Sequence, residues 1–220
     1  KDGMDNGTWY ICFDPNQNIY NAEMNEGLSI VQDYHPVVLN LDTNCRNTRQ
    51  ISIYNVLATA IPPSRYLKVG GEDVVREYYS SYDDERNKLI KSVKKLMSGG
   101  ISPGKICLLS KYRFENSCLQ GTNIFKDICK FQNITGVDPS YVLDESLKFC
   151  TIHSFKGLEA PVVFLLDLDT LAGDQARLLN YIAISRATSL LYIFCSQDLK
   201  DEWNSTVQKT SKLLEPFWDE

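Results

Sequence analysis

Two arginines carry the strongest chemical signal in the chain. Arg46 stands in Leu41-Asp42-Thr43-Asn44-Cys45-Arg46-Asn47-Thr48, and Arg186 in Tyr181-Ile182-Ala183-Ile184-Ser185-Arg186-Ala187. Two more segments gather polar groups: Asp14-Pro15-Asn16-Gln17-Asn18-Ile19-Tyr20, and Thr151-Ile152-His153-Ser154-Phe155-Lys156-Gly157-Leu158-Glu159. Each is expected just past the C-terminal end of a parallel strand, where an open α/β sheet presents its ligand-binding loops. Guanidinium groups at such ends suit phosphate. Phosphoryl transfer is catalysed mainly by positioning and by cations aimed at the transferred group. Plainer roles stand beside these. An arginine on a helix is commonly ion-paired or solvated, an isolated His153 is commonly a satisfied polar residue, and Glu159 could cap the turn before Pro161.

Two other patterns carry less than they promise. Gly99-Gly100-Ile101-Ser102-Pro103-Gly104-Lys105-Ile106 fits G-x-x-x-x-G-K, but a phosphate loop needs a strand before it, a helix after it and a hydroxyl residue after the lysine. Here a helix is expected before and a strand after, and Ile106 replaces the hydroxyl, so the segment reads as a helix-to-strand turn. Val162–Asp167 resembles a strand delivering a metal-binding carboxylate, but no phosphate loop precedes it, and Asp167 or Asp169 reads as a strand-end turn residue.

The elements that must position these groups follow from periodicity. Trp9–Phe13, Val37–Leu41, Ile106–Leu109, Phe149–Ile152, Val162–Leu166 and Leu190–Phe194 are short apolar runs that read as buried strands. Helical spacing alternates with them. Residues 48–61 align Tyr54, Leu57, Ala58 and Ile61 and stop at Pro62-Pro63; residues 83–97 align Leu89, Ile90, Val93, Leu96 and Met97 and end at Gly99-Gly100. Residues 174–187 carry Leu178, Leu179, Ile182 and Ala183. Strands apolar on both faces between amphipathic helices predict an α/β fold with a parallel sheet covered on each side. Residues 64–82 and 111–148 are less periodic, and the second reads as an insertion or irregular connection. The lysines 88, 91, 94 and 95 read as the wet face of their helix.

The chain of 220 residues is 43% hydrophobic and 23% charged, the balance of an ordinary globular protein. The longest apolar stretch, Val162 to Leu168, is far shorter than the ~20 residues needed to cross a bilayer. No N-terminal run reads as a secretory signal. Seven cysteines form no C-x-x-C pair, and Cys12, Cys107, Cys150 and Cys195 fall within strand-like runs, as small buried hydrophobes in a reducing compartment would. The localisation expected is cytoplasmic. With two histidines and no Cys/His cluster, ligand spacing predicts no metal site. The net charge of −5 is concentrated at the two ends, leaving residues 36–197 at +3. That is too weak a basic footprint for a stand-alone nucleic-acid binder.

Taken in order, the four segments resemble motifs III, IV, V and VI of the UvrD/Rep-type superfamily 1 helicases. The T-x-H-x-x-K-G-L-E run at 151–159 is highly specific and A-I-S-R-A at 183–187 moderately so. The resemblance implies the C-terminal, second RecA-like domain of an ATP-dependent DNA helicase: a RecA-like parallel β-sheet flanked by helices on both faces. It implies Arg46 and Arg186 on the γ-phosphate, Gln17 sensing that phosphate, Glu159 on the nucleotide ribose and Gly157 allowing close backbone approach. It places Thr151 and His153 on the nucleic-acid backbone and Tyr20 near its track. The cofactors implied are ATP and Mg²⁺, bound mainly by an N-terminal RecA-like domain. The partners are that domain and single- or double-stranded DNA, with RNA a weaker expectation; no membrane is involved.

The domains expected are 1–35, the end of the first motor domain with motif III; 36–200, the second RecA-like domain with an irregular connection at about 111–148; and 201–220, an acidic tail or helix. Cys45 stands where the family usually has an aromatic platform for adenine. Asn21-Ala22-Glu23 follows Tyr20 where it usually has groups that stack on single-stranded DNA. The phosphate loop and Asp-Glu strand of the first motor domain do not precede these motifs, so the 220 residues alone are expected not to hydrolyse ATP. The alternative is a degenerate RecA-like switch that binds nucleotide or a partner without unwinding.

Overall fold

A strand with no polar side must be covered on both faces, and the apolar runs in the second half of the chain meet that demand. The computed structural model describes residues 3–14, 24–41, 43–61, 65–66 and 69–217. A two-stranded ladder of β1 (Thr43–Asn44) and β2 (Arg65–Tyr66) stands apart from a six-stranded sheet. The sheet comprises β3 (Val75–Tyr79), β4 (Ile106–Ser110), β5 (Phe131–Asn133), β6 (Leu147–Thr151), β7 (Ala160–Leu168) and β8 (Ala187–Ser196). Its order is β3-β8-β7-β4-β6-β5, and every pairing is parallel. The helices are α1 (Gly3–Asn6), α2 (Met24–Gln32), α3 (Arg49–Thr59), α4 (Tyr82–Ser98), α5 (Asp174–Ile184) and α6 (Lys200–Thr210).

Strand alternation divides the core in two. Cys107, Leu109, Cys150, Ile152, Val163, Leu165, Ile193 and Cys195 pack on one face with Ile51, Ala58, Ile182, Ala183 and Trp203 of α3, α5 and α6. Ile106, Leu108, Leu147, Phe149, Val162, Phe164, Leu166 and Phe194 pack on the other with Leu89, Val93 and Leu96 of α4. This is the expected RecA-like α/β arrangement. Truncating a large residue of these layers, such as Phe164, costs about 3–5 kcal/mol.

Local chemistry sets the ends of the helices. Thr48 caps α3 by accepting from Ile51 N, and Ala60 closes it in a left-handed conformation. Ser81 caps α4, whose first turn holds Asp83, Asp84 and Glu85. Of the lysines on α4, residues 91, 94 and 95 are exposed, while Lys88 is half-buried and pairs with Asp84. The G-x-x-x-x-G-K segment is the expected turn between α4 and β4. Its second glycine has a packing reason: a Cβ on Gly104 would lie 1.8 Å from Asp144 O.

Three expectations differ from the fold. Trp9–Phe13 and Val37–Leu41 form no strand, and Tyr10, Val37, Leu39 and Leu41 are at least 83% exposed. A strand needs a neighbour for its N–H and C=O groups, and these runs have none among the described residues. Cys12 is therefore exposed, whereas Cys107, Cys150 and Cys195 are buried as expected. Residues 111–148 are irregular but packed: Cys118, Leu119 and Phe125 are buried, and Phe114 and Phe131 stack about Phe149 and Phe125. Among the described residues no helix is long and apolar enough to cross a membrane.

Candidate functional site

The segment carrying Arg46 is folded by asparagines. Asn44 Oδ1 accepts from the backbone N–H of Arg46 (3.0 Å) and Asn47 (3.2 Å), holding a tight turn between β1 and α3. Asn47, buried, donates through Nδ2 to Ser185 O (3.2 Å) and Ala187 O (2.6 Å). One side chain thus straps the Arg46 turn onto the backbone on either side of Arg186. Arg46 Nε donates to Glu159 Oε2 at 2.8 Å, a contact spanning 113 residues of sequence. Both partners are substantially exposed, with side chains at 39% and 56%.

Arg186 closes the same cluster from below. It is 1% exposed and donates to Ile182 O, Leu158 O and Ser185 Oγ, each at 3.1 Å. Burial and then the nearby Arg46 charge push its guanidinium below the usual arginine range, while Tyr181, Asp14 and Glu159 oppose that shift. Burial and Asp14 raise the Tyr181 phenol in turn. Arg46, Arg186 and Glu159 are therefore brought together, with Asp14 and Tyr181 beside them. Gln17 and Tyr20 lie outside the described residues.

The position of this cluster corrects one expectation. Glu159 directly precedes β7 and Arg186 directly precedes β8, so both lie where strands begin, not past their C-terminal ends. Arg46 follows β1, which is outside the main sheet. Arg46 does follow a parallel strand, in the separate two-stranded ladder, and in the main sheet the Thr151 end of its segment fits the expected placement.

Thr151 ends β6 and organises the turn that follows. Its Oγ1 accepts from Ser154 N (3.2 Å) and bonds Ser154 Oγ (3.0 Å), while Phe155 N donates to Thr151 O (3.0 Å). Ile152 and Phe155 are anchored in the core, and the residues between them, His153 and Ser154, face outward. Gly157 continues the turn with φ +88°, a conformation side chains resist. Thr151 and His153 line a cleft of about 670 Å³ together with Lys111, Arg113, Phe114 and Thr135. Lys111 pairs with Asp169, and Arg113 is exposed.

Sequence reading missed the other wall of this cleft. The signal was present: Lys111-Tyr112-Arg113 directly follows the buried strand β4. Thr135 carried no such signal; its Oγ1 reaches the site by accepting from Thr151 N at 3.3 Å.

The segment 151–159 joins the two places. Ser110 lies opposite both Thr151 and Leu166, so Thr151 stands level with Leu166 near the far end of β7. Glu159 adjoins Ala160 at its beginning. At about 3.3 Å per residue, roughly 20 Å of sheet separates the cleft from the arginine cluster.

The model of the UvrD-like helicase C-terminal domain matches residues 147–194, which run from β6 through Arg186 into β8. This chain resembles that family. The UvrD-like segment thus includes both the cleft residues Thr151 and His153 and the cluster residues Glu159 and Arg186. No curated protein sequence matches the chain. Among solved structures, the C-terminal domain of a possible DNA helicase from Lactobacillus plantarum WCFS1 is similar in fold. It is 15% identical, with a TM-score of 0.55, over 70% of this chain and 88% of that one. The C-terminal part of the Fun30 ATPase domain is 10% identical over 65% of this chain and 56% of that one, at a TM-score of 0.37, which is too low to bear on the fold.

Proposed function

We propose that this chain is the C-terminal motor domain of an ATP-dependent DNA helicase or translocase, whose ATP site is completed by an N-terminal RecA-like domain. The observation that carries the reading is the convergence of Arg46 with Arg186 and Glu159, the latter two within the UvrD-like segment 147–194. Two guanidiniums beside each other repel, and after burial the Arg46 charge is the next cause that lowers Arg186. A polyanion relieves that repulsion, so the donor set fits a triphosphate.

In this reading Arg46 exchanges Glu159 for the γ-phosphate. The freed Glu159 carboxylate then accepts from the ribose hydroxyl. Arg186 turns from its carbonyl partners to the same phosphate, acting as a finger across the interdomain cleft, and Gln17 senses it. ATP supplies the phosphoryl group, and Mg²⁺ is held mainly by the first motor domain. At the other end, Thr151, His153, Lys111 and Arg113 offer donors to a nucleic-acid backbone, with Tyr20 near its track. Residues 1–35 belong to the end of the first motor domain, 36–200 to the second and 201–220 to its C-terminal helix and tail. The exposed apolar run about Leu39 is a surface for that first domain. The protein works in the cytoplasm.

The test uses the protein together with its first motor domain. Arg186→Ala lowers ATP hydrolysis by roughly 10³-fold, as loss of an arginine finger does, while single-stranded DNA still binds. Unchanged turnover would falsify the role given to Arg186. The 220 residues alone do not hydrolyse ATP. One observation favours a second reading: Cys45 is exposed beside Arg46 where an adenine platform would stand. A switch module would show ATP hydrolysis without strand displacement or translocation.

A further inference from the structure

We propose that Glu85, Cys118 and Asp167 form a buried site for one divalent cation of zinc-like character. The three come from separate elements: Glu85 from the first turn of α4, Cys118 from the connection after β4, and Asp167 from the far end of β7. Their ligand atoms lie within 4.8 Å of one another, and the residues are 0%, 0% and 1% exposed. Three potential anions thus share a place that water does not reach.

Existing hydrogen bonds fix the geometry without satisfying it. Asp167 Oδ2 accepts from Ser110 Oγ (2.5 Å) and Oδ1 from Cys118 N (2.7 Å); Glu85 Oε1 accepts from Asp167 N (2.8 Å). Glu85 Oε2 is buried with no hydrogen bond of good geometry, and among the described residues the only side-chain donor acting on Glu85 is the weak thiol of Cys118. A buried polar atom left without a partner is costly, and in native proteins it marks an ion, a water or a functional group. A cation bound by Oε2, the Cys118 thiolate and a remaining lone pair of Asp167 supplies the missing partner and offsets the repulsion between the carboxylates.

The donor set selects the metal class. One thiolate with two carboxylates suits tetrahedral Zn²⁺ with a fourth position for water, and has too few oxygens for Ca²⁺. Ligand spacing could not reveal it, because only packing joins Glu85 to Asp167 across 82 residues. Such a site is filled as the chain folds, with release of the thiol proton and of any proton on Glu85. It would tie the Ser110-to-Cys118 segment, which carries Lys111, Arg113 and Phe114 of the cleft, to α4 and β7. None of this rests on the proposed motor function.

The experiment is metal analysis of the full chain, purified, stripped with chelator and titrated with Zn²⁺ alone. One Zn²⁺ per chain binds, more tightly at pH 8 than at pH 6, and raises the thermal midpoint. Co²⁺ in its place gives a thiolate charge-transfer band that Cys118→Ser removes, and Glu85→Gln weakens binding by at least about 10-fold. X-ray absorption on the unmodified zinc-bound chain finds one sulfur among oxygen ligands, a readout independent of how the variants fold. Absence of stoichiometric binding would mean that Glu85 holds only a proton or a water and would overturn the site. So would bound zinc with no sulfur ligand, or binding that both substitutions leave unchanged in folded protein.

Discussion

The two ends of the sheet are built on opposite principles. Where β7 and β8 begin, Glu159 pairs with Arg46, and Arg186 donates inward to the backbone carbonyls of Ile182 and Leu158. Where β4 and β6 end, Thr151, His153 and Arg113 line a cleft open to solvent. At the first end Arg46 and Arg186 are already engaged within the protein; at the second Arg113 is exposed on the cleft, while Thr151 is buried and bonded to Ser154 and Lys111 is paired with Asp169. Glu159, the partner of Arg46, sits at one end of the segment whose other end is Thr151.

Removing one side of that comparison should leave the other standing. In the two-domain protein, Arg46→Ala lowers the ATP turnover number about 10²–10³-fold, the loss seen when a donor to a developing charge is deleted, without changing affinity for single-stranded DNA. Steady-state kinetics and fluorescence anisotropy check both halves; a matching loss of DNA affinity would merge the two ends into one site. Asn47→Ala leaves two buried carbonyls without their donor and destabilises the chain by about 2 kcal/mol, read as a lower urea midpoint. An unchanged midpoint would mean that Asn47 does not strap the Arg46 turn.

A pH experiment probes the open end through its buried support. Native Glu85 keeps its proton up to about pH 8, whereas the unfolded chain releases it near pH 4.5. The stability this proton confers is fully present below about 4.5 and is lost as pH rises toward 8, by up to about 1.4 kcal/mol per unit. Metal-free chain should thus be less stable at pH 7.5 than at pH 5.5 by more than its Glu85→Gln variant is, in urea titrations at both values. Equal slopes would show Glu85 ionised throughout. The smallest effect is at the cleft rim: Arg113→Ala reduces the salt dependence of single-stranded DNA binding by about 0.7 in log–log slope and weakens affinity several-fold. An unaltered slope removes Arg113 from the track.

What the sequence disclosed follows from how each element is covered. β4, β6, β7 and β8 were legible because their central residues are buried on both faces, which leaves mostly apolar runs there. β3 was not, since Val-Arg-Glu-Tyr-Tyr is an edge strand with half-buried residues, and β5 spans three residues only. α6 buries little besides Trp203 and Thr210, so its pattern is too sparse for periodicity. The arginine cluster was legible as residues but not as a place, because order along the chain does not say at which end of a strand a group lies. Glu85 was hidden among the acids that open α4, and only packing distinguishes it from its exposed neighbour Asp83.

The most direct test is a structure of the two-domain protein with a non-hydrolysable ATP analogue and single-stranded DNA. The expected result places the guanidiniums of Arg46 and Arg186 within about 3 Å of γ-phosphate oxygens, with Glu159 released and the strand in the Thr151–Arg113 cleft. A nucleotide bound in that cleft instead, or Arg186 still bonded to Ile182, Leu158 and Ser185 with no phosphate contact, would contradict the proposed division of the sheet into a phosphate end and a nucleic-acid end.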